Sequence, residues 1–446
     1  MISYLILWIG AGIVLWWYVA HFRKASSGIA LAYYIDLSMI HLPGAMIYAL
    51  PWYVPSSAYL LSQGNSLEVV REGFLQSTIG VLAFVAGVAL LSPILLKFLF
   101  KKSEQKIYIS HPKLPMTYLQ MSLGVNFIAF PILKNVPSFS ALSKMGWYLI
   151  IVSISLLIWQ SFLEGRKNRV SGWLQKAGFF LPVLTVFGEG FLGFGIRAFM
   201  SIFVFYLTVF RIRRSTLIKL FFMMYLGLSL FVSYMEQREA IRNELWYETN
   251  NLSKKIDAVT KIVTEFSFFS IKNNDHLEFI DVRLNQNVLV GHTVNYLREK
   301  GHSFAQGQTI MDAFISIIPR ILWPNKPMKA GSGNMVSTYT GREFAEGTSI
   351  GMGQVFEFYI NFGTAGVVIG FLILGALVGS IDQMAVSQLR QGNWQGFAFW
   401  FLPGMAMIQA GGSLAEIVMS SAAGFIFILI LNKTVLSRYL SKPMKE

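Results

Sequence analysis

Long apolar runs separated by short polar connectors make up most of the 446-residue chain. Ile2 to Ala20 carries no charged side chain, and comparable runs lie at roughly 29–50, 74–98, 116–133, 146–163, 172–188, 194–210, 217–235, 357–380, 394–410 and 414–432. A helix needs about 20 such residues to cross a hydrocarbon core of about 30 Å. The pattern therefore predicts an all-α, polytopic membrane protein with about 11 transmembrane helices. The first run lacks a basic start and a small-residue cleavage site, so it reads as a span of the mature protein. Only one long stretch breaks the rhythm, and it divides the chain into a membrane bundle of about eight spans (1–235), a large external loop (236–350) and about three C-terminal spans (351–446). The loop opens on an amphipathic pattern, with Ile241, Leu245, Leu252, Ile256, Val259, Val263 and Phe266 recurring at helical steps. Such a helix lies on the membrane or on its neighbours.

Composition supports this reading, with a mean hydropathy of +0.52 and only 13% charged residues. The absence of cysteine excludes disulfides, thiolate metal sites and cysteine nucleophiles. A net charge of +14 would suggest nucleic acid in a soluble chain, but its distribution says otherwise. Connectors 21–28, 97–115, 164–176, 211–219, 381–393 and 433–446 hold 20 Lys and Arg, whereas the opposite short connectors hold only Arg71, Lys134 and Lys144. Lys and Arg stay on the cytoplasmic side during insertion, so the N-terminus is expected outside and the C-terminus inside. The external loop carries 13 basic and 13 acidic residues, which leaves no support for nucleic-acid binding. Basic clusters at Arg166/Lys167/Arg169 and Arg211/Arg213/Arg214 must both be cytoplasmic, so Ala177 to Phe210 has to cross twice, with a turn at Gly188 to Gly195. That puts Glu189 and Arg197 at the outer surface.

The chemistry-bearing residues gather on that outer side. There is no acidic DxD pair, HExxH, P-loop or GxSxG, so no metal site and no cofactor is expected. Arg197 follows a glycine-rich turn and lies just inside a span, where an arginine faces an anion or cavity or snorkels to the interface. Ile318 to Pro327 reads IPRILWPNKP. Its three prolines restrict the backbone, and Arg320 with Lys326 offers a bidentate fork and a point charge to a pyrophosphate. Trp323 between them suits a sugar or lipid face, or an interfacial anchor. Arg283 in the loop is a further phosphate ligand candidate. The segment GQVFEFYINFGTAG, from Gly353, brings Glu357 and Asn361 one turn apart on one helix face. A carboxylate there wants a polar cavity or a cation, with Arg197 or Arg320 as the natural partner, and it serves either as a structural ion pair or as a catalyst. His292 and His302 are candidate general bases. His292 ranks first because Val288, Leu289 and Val290 hold it against the protein.

IPRILWPNKP, the glycine-rich segment after it and GQVFEFYINFGTAG resemble the Wzy-type polysaccharide repeat-unit polymerases, which include the O-antigen polymerases. The topology with one large outward loop, and the arginine in GFGIRAFM, resemble that family too. Some members carry an arginine eleven positions before a glycine in their large loops, and both Arg320 with Gly331 and Arg342 with Gly353 fit that spacing. The resemblance implies a GT-C-like, metal-independent glycosyltransferase of the bacterial cytoplasmic (inner) membrane. Its substrates would be undecaprenyl-pyrophosphate-linked oligosaccharides, with membrane lipids, a chain-length regulator and a flippase as partners. His292, Glu357 and His302 would be the catalytic candidates and Arg197, Arg320, Lys326 and Arg283 the pyrophosphate ligands. Trp323, Asn361 and Glu189 would orient the sugar. An O-antigen ligase and a lipid-linked oligosaccharide flippase are the alternatives.

Overall fold

The computed structural model describes all residues except 23–25, 100–105, 134–138, 190–191, 211–213, 243–263, 300, 319–321, 324, 327–331, 344–349, 440 and 444–446. Helices account for 79% of the structure. Among the described residues the one sheet is a two-residue antiparallel ladder, Tyr108–Ile109 (β1) with Lys442–Pro443 (β2). The all-α expectation holds. Among the described residues, six helical stretches are long and apolar enough to cross a membrane: Ile2–Ala20, Ile29–Ile47, Leu67–Phe98, Met145–Leu163, Gly353–Arg390 and Leu414–Lys433.

In chain order the helices are α1 (Ile2–Trp17), α2 (Ile29–Ile47), α3 (Ala58–Ser62), α4 (Leu67–Ala86) and α5 (Ser92–Leu99), then α6 (Leu114–Gly124), α7 (Phe130–Leu133), α8 (Phe139–Leu163), α9 (Lys167–Glu189), α10 (Leu192–Val209) and α11 (Arg214–Arg242). The hydrophilic segment contributes α12 (Asn274–Arg283), α13 (Asn287–Arg298), α14 (Gln308–Ser316) and α15 (Ser332–Thr340), and the chain closes with α16 (Gly353–Arg390), α17 (Trp394–Ala406) and α18 (Leu414–Lys433). Ala177 to Phe210 does form two helices that double back, with Gly195 of α10 set against Thr185, Leu181 and Pro182 of α9. The amphipathic pattern from 241 to 266 falls largely outside the described residues.

Bare backbone lets the central helices touch. Gly87, in the π-helical turn after α4 (Gly87–Leu91), meets the Leu372 carbonyl, and Gly375 of α16 meets that of Phe84. This is the small-residue crossing by which apolar helices pack without a hydrophobic driving force between them. At one end of the bundle Asp382 accepts Ser26 Oγ (2.6 Å), Ser27 N (2.6 Å) and Ser27 Oγ (2.6 Å), and so anchors the start of α2. The β1–β2 ladder ties the C-terminal tail down at this basic end.

The other end is built by the loop helices, which do not simply sit on top. Pro43 interrupts α2, and Gly44 N donates to Leu284 O (3.3 Å) while Ile40 O accepts from Gln286 N (2.9 Å). The segment between α12 and α13 thus inserts into the opened helix and satisfies its backbone groups. Gly73 of α4 is pressed against Asn287, and Gly291 of α13 against Val69.

A second irregularity changes the sequence expectation of a span over 357–380. α16 breaks at Phe362 (φ −143°, ψ 23°) and Gly363 (φ 61°, ψ −148°), a conformation open to glycine and closed to residues with a Cβ. After the break Gly366 lies against the Phe358 carbonyl and Gly370 against the Phe358 ring. In an unbroken helix 358 and 370 would be about 18 Å apart. A short leg (353–361) therefore turns back sharply onto a long leg (364–390), and Glu357 and Asn361 belong to the short one.

Candidate functional site

The short leg is a clamp. Glu357 is buried, and its Oε2 accepts from Leu414 N (2.6 Å), the first residue of α18, while the Thr309 hydroxyl is its second partner. A carboxylate at a helix N-terminus satisfies an orphan amide and meets the positive end of the dipole. Asn361 is fully buried, donating to Thr309 Oγ1 (2.7 Å) and Glu357 O (2.7 Å) and accepting from Gly307 N (2.9 Å). Ala305 N adds a bond to Ile360 O (2.8 Å). The loop from α13 to α14 is thereby bound to the helix break, with Phe304 beside Gly363. Glu357 and Asn361 share a face as the sequence predicts. Glu357's partners, however, are a backbone amide and a threonine, not Arg197.

Two titratable candidates meet next to this clamp. His292 Nε2 lies 3.1 Å from Gln63 O, which accepts only if Nε2 carries the proton, so Nδ1 holds the lone pair. Burial pushes the imidazole down to about 4, the Arg342 guanidinium pushes the same way, and the Gln63 carbonyl opposes them. Arg342 Nη1 donates to Gln63 Oε1 (3.2 Å). One turn on from His292, Tyr296 stacks face to face with His302, with ring centroids 3.8 Å apart and planes 20° apart. Arg298, a half-turn further, pairs with Glu72 (2.8 Å) and reaches Tyr359 of the short leg. One cluster thus contains His292, Arg342, Tyr296 and His302, and Arg298, on another face of α13, ties the same helix to the leg that carries Glu357 and Asn361.

The remaining candidates go elsewhere. Arg197 Nε donates to Asp36 Oδ1 (2.8 Å), and Asp36 Oδ2 accepts from Ala410 N (2.7 Å). This ion pair joins α10, α2 and the α17–α18 turn inside the bundle. Lys326 Nζ donates to Ser316 O (3.0 Å) and Ile318 O (3.0 Å), so it caps the C-terminal end of α14. Trp323 is 38% exposed. Arg283 is exposed at the end of α12, and Glu189 is the last residue of α9. Arg320 and the prolines around it lie outside the described residues.

A family profile described as a domain of unknown function, DUF8712, matches residues 53–442. The chain belongs to the DUF8712 family. No curated protein and no solved structure matches it. The matched region takes in Gln63, the loop helices and α16, so the whole cluster belongs to the DUF8712 domain.

Sequence reasoning missed a buried polar network at the root of the DUF8712 loop helices. Asp281 Oδ2 accepts Tyr48 Oη (2.8 Å) and Tyr53 Oη (2.8 Å), and its Oδ1 accepts Asn285 Nδ2 (2.7 Å) and Asn65 Nδ2 (3.2 Å). Burial raises the Asp281 carboxyl against the pull of these four donors. Asn287 continues the chain to His41 Nδ1 (2.8 Å) and Ser77 Oγ (3.1 Å). The available signal was Asn285-Gln286-Asn287, three amides in a row before an apolar helix.

Proposed function

We propose that this DUF8712 protein is a glycosyltransferase that polymerises undecaprenyl-pyrophosphate-linked oligosaccharide repeat units into a surface polysaccharide. In this reading the chain crosses a bacterial cytoplasmic membrane eleven times in a GT-C-like arrangement, with its N-terminus and loop helices outside. The reading rests on the Wzy-type resemblance, and the observation that carries it is the meeting of Arg342 with His292 over Gln63. An imidazole with a free Nδ1 lone pair beside a guanidinium is what this transfer requires.

The acceptor sugar's hydroxyl oxygen attacks the anomeric carbon of the donor glycan. The bond from that carbon to the pyrophosphate oxygen breaks, and its electron pair leaves with undecaprenyl pyrophosphate. Arg342 stabilises the charge on the leaving group, with Arg320 as a further ligand implied by the resemblance. His292 Nδ1 takes the hydroxyl proton. Free of substrate, burial first and the Arg342 guanidinium second hold the imidazole's pKa down. A bound pyrophosphate neutralises that guanidinium and raises the imidazole toward the range useful to a general base. Lys326 and Arg197 keep structural tasks, and Glu357 with Asn361 shapes the wall of the site.

Deleting the gene and separating the surface glycans by size tests the proposal against its alternatives. Loss of a polymerase leaves single repeat units on the surface. Long glycans retained on the undecaprenyl carrier would instead mark a ligase, and single units trapped inside a flippase; either pattern overturns the proposal.

A further inference from the structure

His302 has no role in the proton transfer drawn above, yet the fold takes unusual trouble to hold it. It lies on the connection between α13 and α14, where Gly301 (φ 78°), Gln306 (φ 49°) and Gly307 (φ 87°) all adopt left-handed backbone. Gln306 is the one non-glycine residue with positive φ among the described residues, a conformation that persists only when the surroundings enforce it. The surroundings here are Asn361, bonded to Gly307 N (2.9 Å), and Ile360 O, bonded to Ala305 N (2.8 Å). The result is an exposed imidazole lying flat on Tyr296, with centroids 3.8 Å apart. Gly341, at φ 66°, brings the end of α15 against the edge of the same tyrosine ring, which fixes the lower ring in place.

A flat aromatic face on the surface is suited to a ring whose own faces carry C–H bonds, and Tyr296 stands one helical turn from His292, about 5–6 Å away at the β-carbons. We propose that the Tyr296–His302 stack is a carbohydrate subsite that binds the apolar face of a pyranose ring of the acceptor repeat unit. A sugar seated there offers a ring hydroxyl toward His292. This assignment rests on the glycosyltransferase reading and gives His302 a stacking role in place of a catalytic one. It also gives the Asn361 clamp a purpose, since the clamp fixes the loop on which the platform rides.

The test is saturation-transfer NMR on the detergent-purified full chain. The probes are simple methyl pyranosides and the lipid-free repeat unit released from the host's own surface glycan. The wild type is expected to transfer saturation to C–H groups on one face of a sugar ring. His302→Ala should weaken binding about three- to tenfold, the range of one aromatic stacking contact, whereas His302→Phe should retain it because it keeps the ring. His302 is exposed, so matching melting temperatures will show that neither variant is misfolded. Wild-type affinity in His302→Ala, or loss in His302→Phe equal to that in His302→Ala, overturns the subsite and leaves the glycosyltransferase reading standing. A wild type that binds none of the sugars overturns both.

Discussion

His292 and Arg342 depend on each other through a single residue, Gln63, whose backbone and side-chain oxygens take one bond from each. The imidazole's position at about 4, below its ordinary 6.5, has a consequence for stability. As pH falls the unfolded chain takes up the proton first, so this group's contribution is complete above about 6.5 and is lost on the way down to about 4. The melting temperature of the purified protein should therefore fall between about pH 7.5 and about pH 5, and fall less in His292→Gln; equal falls would mean that the imidazole is not held neutral. In catalysis, His292→Ala should lower turnover by about 10²–10⁴ with donor binding nearly intact. Normal turnover in that variant with loss in Glu357→Gln would move the proton transfer to the carboxylate. Arg342→Ala should cost about 10²–10³ in rate, and Lys should restore only part of it, because a point charge lacks the bidentate fork. Sequence reading ranks His292 first on the apolar residues that precede it, of which Val288 and Val290 are buried. It could not find Asp36 for Arg197, since the two are 161 positions apart and nothing local links them.

The broken helix is the element on which the site depends. Its residues were visible in the sequence as Glu357, Asn361 and the following Phe-Gly, but the break itself was not, because apart from Asn361 and Thr364 the run through it is apolar and neither a proline nor a charged residue marks the turn. Hydropathy reports where a helix is tolerated in lipid, not where glycine lets it fold back. Gly363→Ala forces a Cβ into a backbone conformation that costs about 1–3 kcal/mol, and should lower the melting temperature while leaving the protein in the membrane. Asn361→Ala leaves Gly307 N without its acceptor and Thr309 Oγ1 without one of its two partners, at about 1–3 kcal/mol for a buried unsatisfied group. It should also open the 301–308 loop to protease. A loop as resistant as in the wild type would show that Asn361 is not what holds it.

For the whole molecule, apolar periodicity made the helical class predictable, and the 20-to-3 division of short-connector cations carries the expectation that 236–350 lies outside. The insertion of Asn285 to Asn287 into the opened α2 was not, because it is a pairing between distant backbones that no local pattern encodes. The orientation has its own test. Reporters fused after Lys102 or Arg214 should read cytoplasmic and one fused within 270–345 external; an external signal at Arg214 would dismantle the eleven-span arrangement and turn the His292–Arg342 cluster away from its substrate. The most direct measurement joins orientation, cluster and chemistry. The purified chain is reconstituted in liposomes with undecaprenyl-pyrophosphate-linked repeat units and no other protein, and the products are separated by size. The account predicts a ladder spaced by one repeat unit that disappears in Arg342→Ala. A wild-type protein that leaves the single units unjoined would contradict it.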